Sequence, residues 1–535
     1  MNEDIQNILD QIQSSGAGIE DIQAALEKQK EAGIAYDTEG RTAVLQAFDA
    51  SLTEQGLAET FVRLIDGTLR YVNEQRAWVY WADERWHLDS DGEVYRRFKQ
   101  MVQYLQNFQD EMAQDLEHQP DETWIRKLSG AIDSWIKIVQ TKSRIENILA
   151  LVKQERGITT PITEFDRKGH FLGVSNGVVD LRTGDLVTGD PAYLMMKSCP
   201  VTFDVDASCA FWNKFLFDIM DGDYDKVDFL QQIAGSCLVG GNKQKLFVLQ
   251  GSGANGKSTF TTMLQALLGT ADRNGYCATT NPRVFTHNSN TPEYFLADLK
   301  GARGIIMSES ESGRILQDTL VKQVVDTEEG LVARYPGGNP FSFSVTGTIL
   351  MSTNHLPKVI ATDNGTWRRL CVVQFNRVFS EAQQDRTLVD EKLKPELAGI
   401  LNWAVEGAKR YLANGQKFDI PAVIARETSD WREGEDRIGL FISERMLDDG
   451  GKTKMKDFYL AYSHWCSQRG QSAPSQPEVK KRLMERHMEV VPHGSGGTDH
   501  IFGWSMRAED DNVADMQEVR DMLEKYGNKN QLMDF

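Results

Sequence analysis

Cysteine is scarce in this chain, six residues among 535, and no two of them form a C-x-x-C pair. The scatter of Cys199, Cys209, Cys237, Cys277, Cys371 and Cys466 argues against a zinc ribbon or a disulfide framework and predicts buried thiols. No stretch of about eighteen uninterrupted apolar residues occurs, which excludes a membrane-spanning helix. The opening Met1-Asn-Glu-Asp4 is acidic and lacks the basic start of a signal peptide, so the expectation is a cytosolic protein with no membrane partner. Basic residues are outnumbered, 59 Lys/Arg against 78 Asp/Glu for a formal charge of −19. That balance excludes a surface coated throughout with nucleic acid. No internal repeat at a fixed period is evident.

What the chain does have is size and one dense motif. Its 40% hydrophobic and 26% charged content is that of a soluble globular protein, and 535 residues suggest three or four folding units. Lys245-Leu-Phe-Val-Leu-Gln250 reads as a short buried strand, and Phe260, Met263, Leu264, Leu267 and Leu268 recur at helical spacing. Between them stands Gly251-Ser-Gly-Ala-Asn-Gly-Lys-Ser258, the pattern of a phosphate-binding loop. Gly251, Gly253 and Gly256 let successive N–H groups turn inward toward phosphate oxygens, Lys257 supplies a point charge, and Ser258 offers a hydroxyl to Mg²⁺. Asn255 and Thr259 complete the candidate nucleotide-binding set.

Further along, Ile305-Ile-Met307 predicts a strand ending in Ser308-Glu-Ser-Glu311. Carboxylates at that edge can hold Mg²⁺ and orient an attacking water, which nominates Glu309 and Glu311, with Glu309 beside Ser258 as a metal ligand. A second strand, Thr348 to Thr353, ends in Asn354, a neutral amide suited to positioning water or sensing the γ-phosphate. Trp367-Arg368-Arg369 then provides guanidinium groups that cannot deprotonate and can bridge phosphoryl oxygens.

In this order the elements resemble superfamily 3 helicases of the phage and plasmid primase-helicase group, which includes the poxvirus primase-helicases. The resemblance rests on the loop through Phe260, Ser308–Glu311, Ala333-Arg-Tyr335, Leu350-Met-Ser-Thr-Asn-His-Leu-Pro357 and Thr362-Asp-Asn-Gly-Thr-Trp-Arg-Arg369. It extends to Asn176-Gly-Val-Val-Asp-Leu-Arg-Thr-Gly184, similar to the motif of the domain preceding the motor. It implies an α/β fold with an AAA+-like P-loop ATPase core, ATP and Mg²⁺ as its cofactors, a mainly helical N-terminal region and a homo-hexameric ring around DNA. Glu309 and Glu311 would form the acidic pair, Asn354 the first sensor, and Arg369 or Arg368 the finger reaching the adjacent subunit. Lys243, eight residues before Gly251, would be a phosphate-sensing lysine presented to the neighbouring site. Ser312 follows the acidic pair where family members commonly have a further Glu, which leaves open which carboxylate is the base. In the pore hairpin, Arg334 or Tyr335 would grip DNA, or else backbone amides at Gly337 and Gly338, or Lys322.

The implied organisation is a helical segment over 1–50, an α+β domain over 51–210, the motor over 211–440, a winged-helix module over 441–507 and an acidic tail over 508–535. Aromatics Trp78-Val-Tyr-Trp81 and Trp86 predict a small strand core, with Asp89-Ser-Asp-Gly92 as a turn. Long helices follow to about Arg156, including a face of Ile132, Trp135, Ile136 and Val139. Between Gly451 and Arg507 there are nine Lys/Arg against five Asp/Glu, and from Ala508 onward three against eight. Lys480, Lys481, Arg482 and Arg486 would lie on one helix of the winged-helix module, ready for phosphates or a groove. Gln531-Leu-Met-Asp-Phe535 resembles the pentapeptide that binds the host sliding clamp. The functional expectation is an ATP-dependent replicative DNA helicase of a phage, plasmid or mobile element, lacking an obvious N-terminal primase domain and served by a separate primase. The alternatives are an ATP-dependent origin-binding or loading module without processive unwinding, and the helicase part of a primase-helicase system.

Overall fold

A computed structural model describes residues 53–507 apart from 119–132, 134–135, 138, 242–244, 271–273, 282–284, 286–293, 310–314, 326–329, 336, 360–363, 470–472 and 494–496. The expected helical segment 1–50, the tail 508–535 with its Gln531–Phe535 motif, Ile132, Trp135, Lys243 and Glu311 lie outside the described residues. Among the described residues, no helix is long and apolar enough to cross a membrane.

The first unit opens with α1 (Glu54–Leu64), started by Thr53, whose hydroxyl accepts the Gly56 N–H at 3.1 Å. The aromatic run forms an antiparallel sheet of β1 (Leu69–Val72), β2 (Ala77–Ala82) and β3 (Arg85–Leu88). Trp86 is fully buried there, as expected of a strand core. Asp89 is more than a turn residue. Its carboxylate takes the N–H groups of Gly92, Glu93 and Val94 at 2.7–3.0 Å and so initiates α2 (Glu93–His118). With α3 (Lys142–Val152), these helices enclose Leu57, Phe61, Phe98, Ile148 and Val152.

The glycine-punctuated motif makes β4 (Phe171–Val174) and β5 (Gly177–Asp180), a hairpin extended by β6 (Asp185–Val187). Both hairpin strands are buried on each face, because they join the same core as α4 (Ala210–Ile219) and α5 (Tyr224–Leu238). The hydrophobic core therefore runs across residue 210.

The central sheet is built from β7 (Leu246–Gln250), followed by α6 (Lys257–Leu268), β8 (Cys277–Thr279), α7 (Tyr294–Ala297) and β9 (Gly304–Glu309). After α8 (Asp318–Val325), a separate hairpin of β10 (Leu331–Ala333) and β11 (Phe341–Phe343) precedes β12 (Thr348–Thr353), α9 (Asn364–Trp367) and β13 (Leu370–Gln374). The five strands are all parallel, in the order β13-β7-β12-β9-β8. Their near-continuous apolar sequences follow from being covered on both faces.

Two helices close the sheet, α10 (Leu397–Ala413) against α5 and α11 (Ala422–Glu435) against the edge strand β13. The edge is sealed by side chains of α11. Glu427 accepts the Gln374 N–H at 3.0 Å and Thr428 accepts that of Val372 at 3.1 Å. Lys226 of α5 completes the seal by pairing with Glu427 in the interior.

The last unit has its own core around Phe441, Phe458, Tyr462 and Leu483. It runs α12 (Arg437–Arg445), β14 (Met446–Lys454), α13 (Met455–Gln468), α14 (Gln476–Glu485), β15 (Glu489–His493) and β16 (Thr498–Met506), with its strands in the order β14-β16-β15. The six cysteines are all buried and none is bridged.

Candidate functional site

Strand β7 delivers the chain to the loop 251–256, and α6 begins at Lys257. Gly256 has a φ of 84°, and a Cβ there would stand 2.4 Å from Ile219 Cγ2. Gly251 is equally constrained, since its Cβ would meet Asn255 Nδ2 at 2.0 Å. The loop thus needs glycine for both conformation and close approach. It is also tied down from outside, because Asn255 Nδ2 donates to the Phe375 carbonyl at 3.3 Å and the Phe379 N–H donates to Ala254 O at 2.8 Å.

Lys257 is buried, and its ammonium donates to the Gly251 carbonyl at 2.6 Å, Asn255 Oδ1 at 3.0 Å and, at the long limit, Asn354 Oδ1 at 3.4 Å. Burial lowers its pKa from the ordinary lysine value. The three oxygens are neutral, so the positive charge is solvated but not cancelled, an electrostatic setting that suits an incoming polyphosphate. Ser258 is exposed and Thr259 half-buried in the first turn of α6.

Strand register brings the other candidates to the same edge. Gln250 pairs with Thr353, and Thr353 pairs with Glu309, so the three strand ends form one row. The Gly251 N–H donates to Thr353 O at 3.2 Å, joining the loop directly to the strand that ends beside Asn354. Asn354 is exposed apart from its contact with Lys257. Glu309 ends β9 one strand beyond.

The arginines are elsewhere. Leu370 pairs with Leu246 at the start of both strands, so Arg368 and Arg369 sit at the edge opposite the loop. Five strand residues at about 3.3 Å each separate the two edges by about 16 Å. Arg368 is exposed, whereas Arg369 is buried at 6% exposure with its guanidinium on the Gly365 carbonyl. A buried guanidinium held by its own chain is poorly placed to reach another molecule.

The hairpin of β10 and β11 presents Arg334, Tyr335, Gly337 and Gly338 at its exposed tip. Tyr335 is partly held back, its ring stacked on Phe341 at 5.4 Å and its hydroxyl on Ala297 O at 3.3 Å. The Gly338 N–H closes a tight turn onto Tyr335 O at 2.9 Å. Lys322 is half-buried on α8.

The basic face of α14 is largely neutralised within the chain. Lys480 pairs with Asp499 at 2.6 Å, Arg482 with Glu478 at 2.7 Å, and Arg486 with Asp436. Lys481 is exposed. Counting charge along the sequence identifies the basic helix but not the carboxylates that other elements bring to it. Two contacts at the arginine edge also escape local reading: the ammonium of Lys245 on the Arg368 carbonyl at 2.6 Å, and Arg432 on Asn364 Oδ1 at 2.6 Å.

The protein is thus of mixed α/β class, with a five-stranded parallel sheet and a phosphate-loop-like turn at one edge. Residues 58–221 match the family described as D5 N terminal like, and residues 249–369 match a family of unknown function (DUF5906). C962R of African swine fever virus (isolate Warthog/Namibia/Wart80/1980), named as a primase, is 24% identical over 459 residues, covering 76% of this chain and 46% of the relative. L207/L206 of Acanthamoeba polyphaga mimivirus, named as a helicase, is 25% identical over 328 residues, 57% of this chain and 34% of the relative. Primase D5 of fowlpox virus (strain NVSL) is 25% identical over 236 residues, 41% and 29% respectively. Over residues 58–221 the chain is similar to the D5 N-terminal-like family, and over longer stretches to proteins named as primases and helicases of large DNA viruses. It spans less than half the length of these relatives. A solved structure of the NrS-1 C-terminal region aligns over 83% of this chain and 98% of that one, at 9% identity and a TM-score of 0.41.

Proposed function

We propose that this chain is the ATP-driven motor of a DNA replication primase-helicase system, unwinding DNA as a ring in which each nucleotide site is shared by two copies. The observation that carries the reading is the division of the site's parts between two sheet edges. Lys257, Asn354 and the end of β9 meet at one edge, while exposed Arg368 stands about 16 Å away at the other, by strand rise. Arg368 cannot serve its own loop, but a copy stacked edge to edge can receive it. The strand order, with β12 between the loop strand and the acidic strand, supports an AAA+-like reading, and relatives named as primases and helicases of large DNA viruses support DNA as the partner.

The residues fit ATP with Mg²⁺. Lys257 offers a desolvated charge ringed by neutral oxygens, Ser258 an exposed hydroxyl at a helix start, and β9, with β12 between it and the loop strand, ends at Glu309. ATP when bound supplies the phosphoryl group whose transfer to water drives movement. Lys257 holds the phosphate end, Asn354 positions the attacking water, Glu309 or Glu311 orients it, and Arg368 of the adjacent copy stabilises developing charge. Arg334 and Tyr335 at the hairpin tip face DNA, and the C-terminal unit acts as a winged-helix module in which Lys481 contacts phosphate. The hexamer, the separate primase and a clamp contact through Gln531–Phe535 belong to this proposal.

The test is strand displacement on a forked duplex with ATP, run beside native mass measurement of the assembly. ATP-dependent unwinding by a multimer is expected. An assembly that hydrolyses ATP and binds DNA without separating strands would leave only the loading-module alternative.

A further inference from the structure

Arg368 is exposed as a side chain, yet both its N–H and its carbonyl are hydrogen-bonded. Its N–H donates to the Asn364 carbonyl at 3.0 Å, and the N–H of Arg369 donates to Thr366 O at 3.0 Å. The Arg369 carbonyl accepts the Leu246 N–H at 2.7 Å, and its guanidinium returns to Gly365 O. Arg432 reaches Asn364 at 2.6 Å, and Trp367 packs edge-on against Trp431 at 5.1 Å. These contacts fix the turn on the side of α11 and strand β7. The Arg368 carbonyl itself is held by one side chain among the described residues, the ammonium of Lys245 at 2.6 Å.

That contact spends an ammonium on a neutral partner. Lys245 is half-buried, and burial lowers its pKa. Among the described residues no carboxylate pairs with it; its hydrogen bond goes to a neutral carbonyl. Taking an ammonium out of water for a neutral partner contributes little net stability. Water could satisfy a carbonyl at the start of a strand equally well. The arrangement is better explained by geometry, since a finger that stabilises charge across a subunit boundary needs a defined origin for its side chain, and small misplacements are costly to rate.

We infer that Lys245 is a positioning residue for Arg368, pinning the turn that carries the inter-subunit arginine to the residue that leads into the phosphate-loop strand. This rests on the reading of Arg368 as the finger. Strand β7 then joins both roles of one copy, opening its own phosphate loop at one end and holding at the other the arginine it lends to its neighbour.

The experiment uses the full chain in four forms: wild type, Arg368→Ala, Lys245→Met and Lys245→Arg, plus the Arg368→Ala/Lys245→Met double variant. Steady-state ATPase with DNA, nucleotide affinity, native mass and thermal midpoint are measured for each. Lys245→Met is expected to lower kcat about tenfold to a hundredfold, the scale of a finger displaced by about 1 Å, with nucleotide affinity and assembly mass unchanged. Lys245→Arg, which keeps a donor, should recover most of the rate, and the double variant should be no slower than Arg368→Ala alone. If Arg368→Ala is fully active, the finger reading fails and the inference falls with it. If Arg368→Ala is inactive while Lys245→Met turns over normally, the finger stands and the positioning role is overturned. A loss in Lys245→Met matched by a collapse in thermal midpoint, with no rescue by arginine, also overturns it, because that is the signature of a structural lysine.

Discussion

The ammonium of Lys257 lies 3.4 Å from the side-chain oxygen of Asn354, a contact between residues 97 positions apart. It joins the loop to the end of β12, the strand paired directly with β7, and it gives each residue a distinguishable task. In the proposed motor Lys257, which carries charge, would supply affinity for nucleotide, and Asn354, neutral and exposed, would act in the step in which water attacks.

Replacing Asn354 by Ala should accordingly lower kcat by roughly 10²-fold, the effect of deleting one well-placed polar group at a developing charge, while nucleotide affinity changes little. Asn354→Asp should behave differently, since a carboxylate beside Lys257 would pair with the ammonium and weaken nucleotide binding. Fluorescent-nucleotide titration and steady-state hydrolysis separate the two. Equal loss of affinity and rate in Asn354→Ala would sink the assignment.

A pH dependence follows from the burial of Lys257. Its pKa is lowered by desolvation, so the proton leaves at a lower pH than from an exposed lysine, whose value is about 10.4. The attraction for polyphosphate is present below the lowered pKa and lost as pH rises through it. Nucleotide affinity should therefore fall on the alkaline side before the ordinary lysine range is reached. Lys257→Arg should abolish that alkaline limb, because a guanidinium stays charged. An affinity independent of pH in the wild type would remove Lys257 from the site.

How much of this was readable from the chain depends on distance in sequence. The phosphate loop, its strand and its helix are contiguous, and local patterning of Leu246 to Leu268 was enough to place them. The aromatic strands and the Asn176 to Gly184 hairpin were legible for the same reason. What patterning could not show was which charges meet. Lys480, Arg482 and Arg486 look like one basic face in sequence, yet Asp499 and Asp436 arrive from other elements to neutralise two of them, and Glu478 the third. Arg368 and Arg369 are chemically identical neighbours, and only the turn of α9 sends one outward and one inward.

The cysteines offer a test of the core. Burial pushes the thiols of Cys199, Cys277 and Cys371 up to about 12 and that of Cys209 up to about 11. The thiolate is the reactive form, so at pH 8 these groups are almost wholly protonated as well as inaccessible. Native protein should take up almost no maleimide in the time needed to label all six thiols in denaturant, as counted by mass. Rapid native labelling at Cys199 or Cys371 would show that the central core opens far more readily than its packing implies.

The seal on the edge strand gives the largest expected stability effect. Lys226 and Glu427 are 201 residues apart and pair with side-chain exposures of only 8% and 9%. Glu427 also takes the Gln374 N–H, and Lys226 also donates to the Gln374 carbonyl at 3.3 Å. Glu427→Ala would strand a buried ammonium and leave a strand N–H without its acceptor, a loss of about 3–5 kcal/mol. The double variant Lys226→Met/Glu427→Leu removes both charges and fills the space, so it should be markedly more stable than Glu427→Ala, although it still leaves the Gln374 amide unmet. Urea unfolding followed by tryptophan emission, with Trp431 on the same helix as Glu427, measures both. A double variant no better than Glu427→Ala would mean that the strand hydrogen bonds, and not the isolated charge, hold α11 on β13.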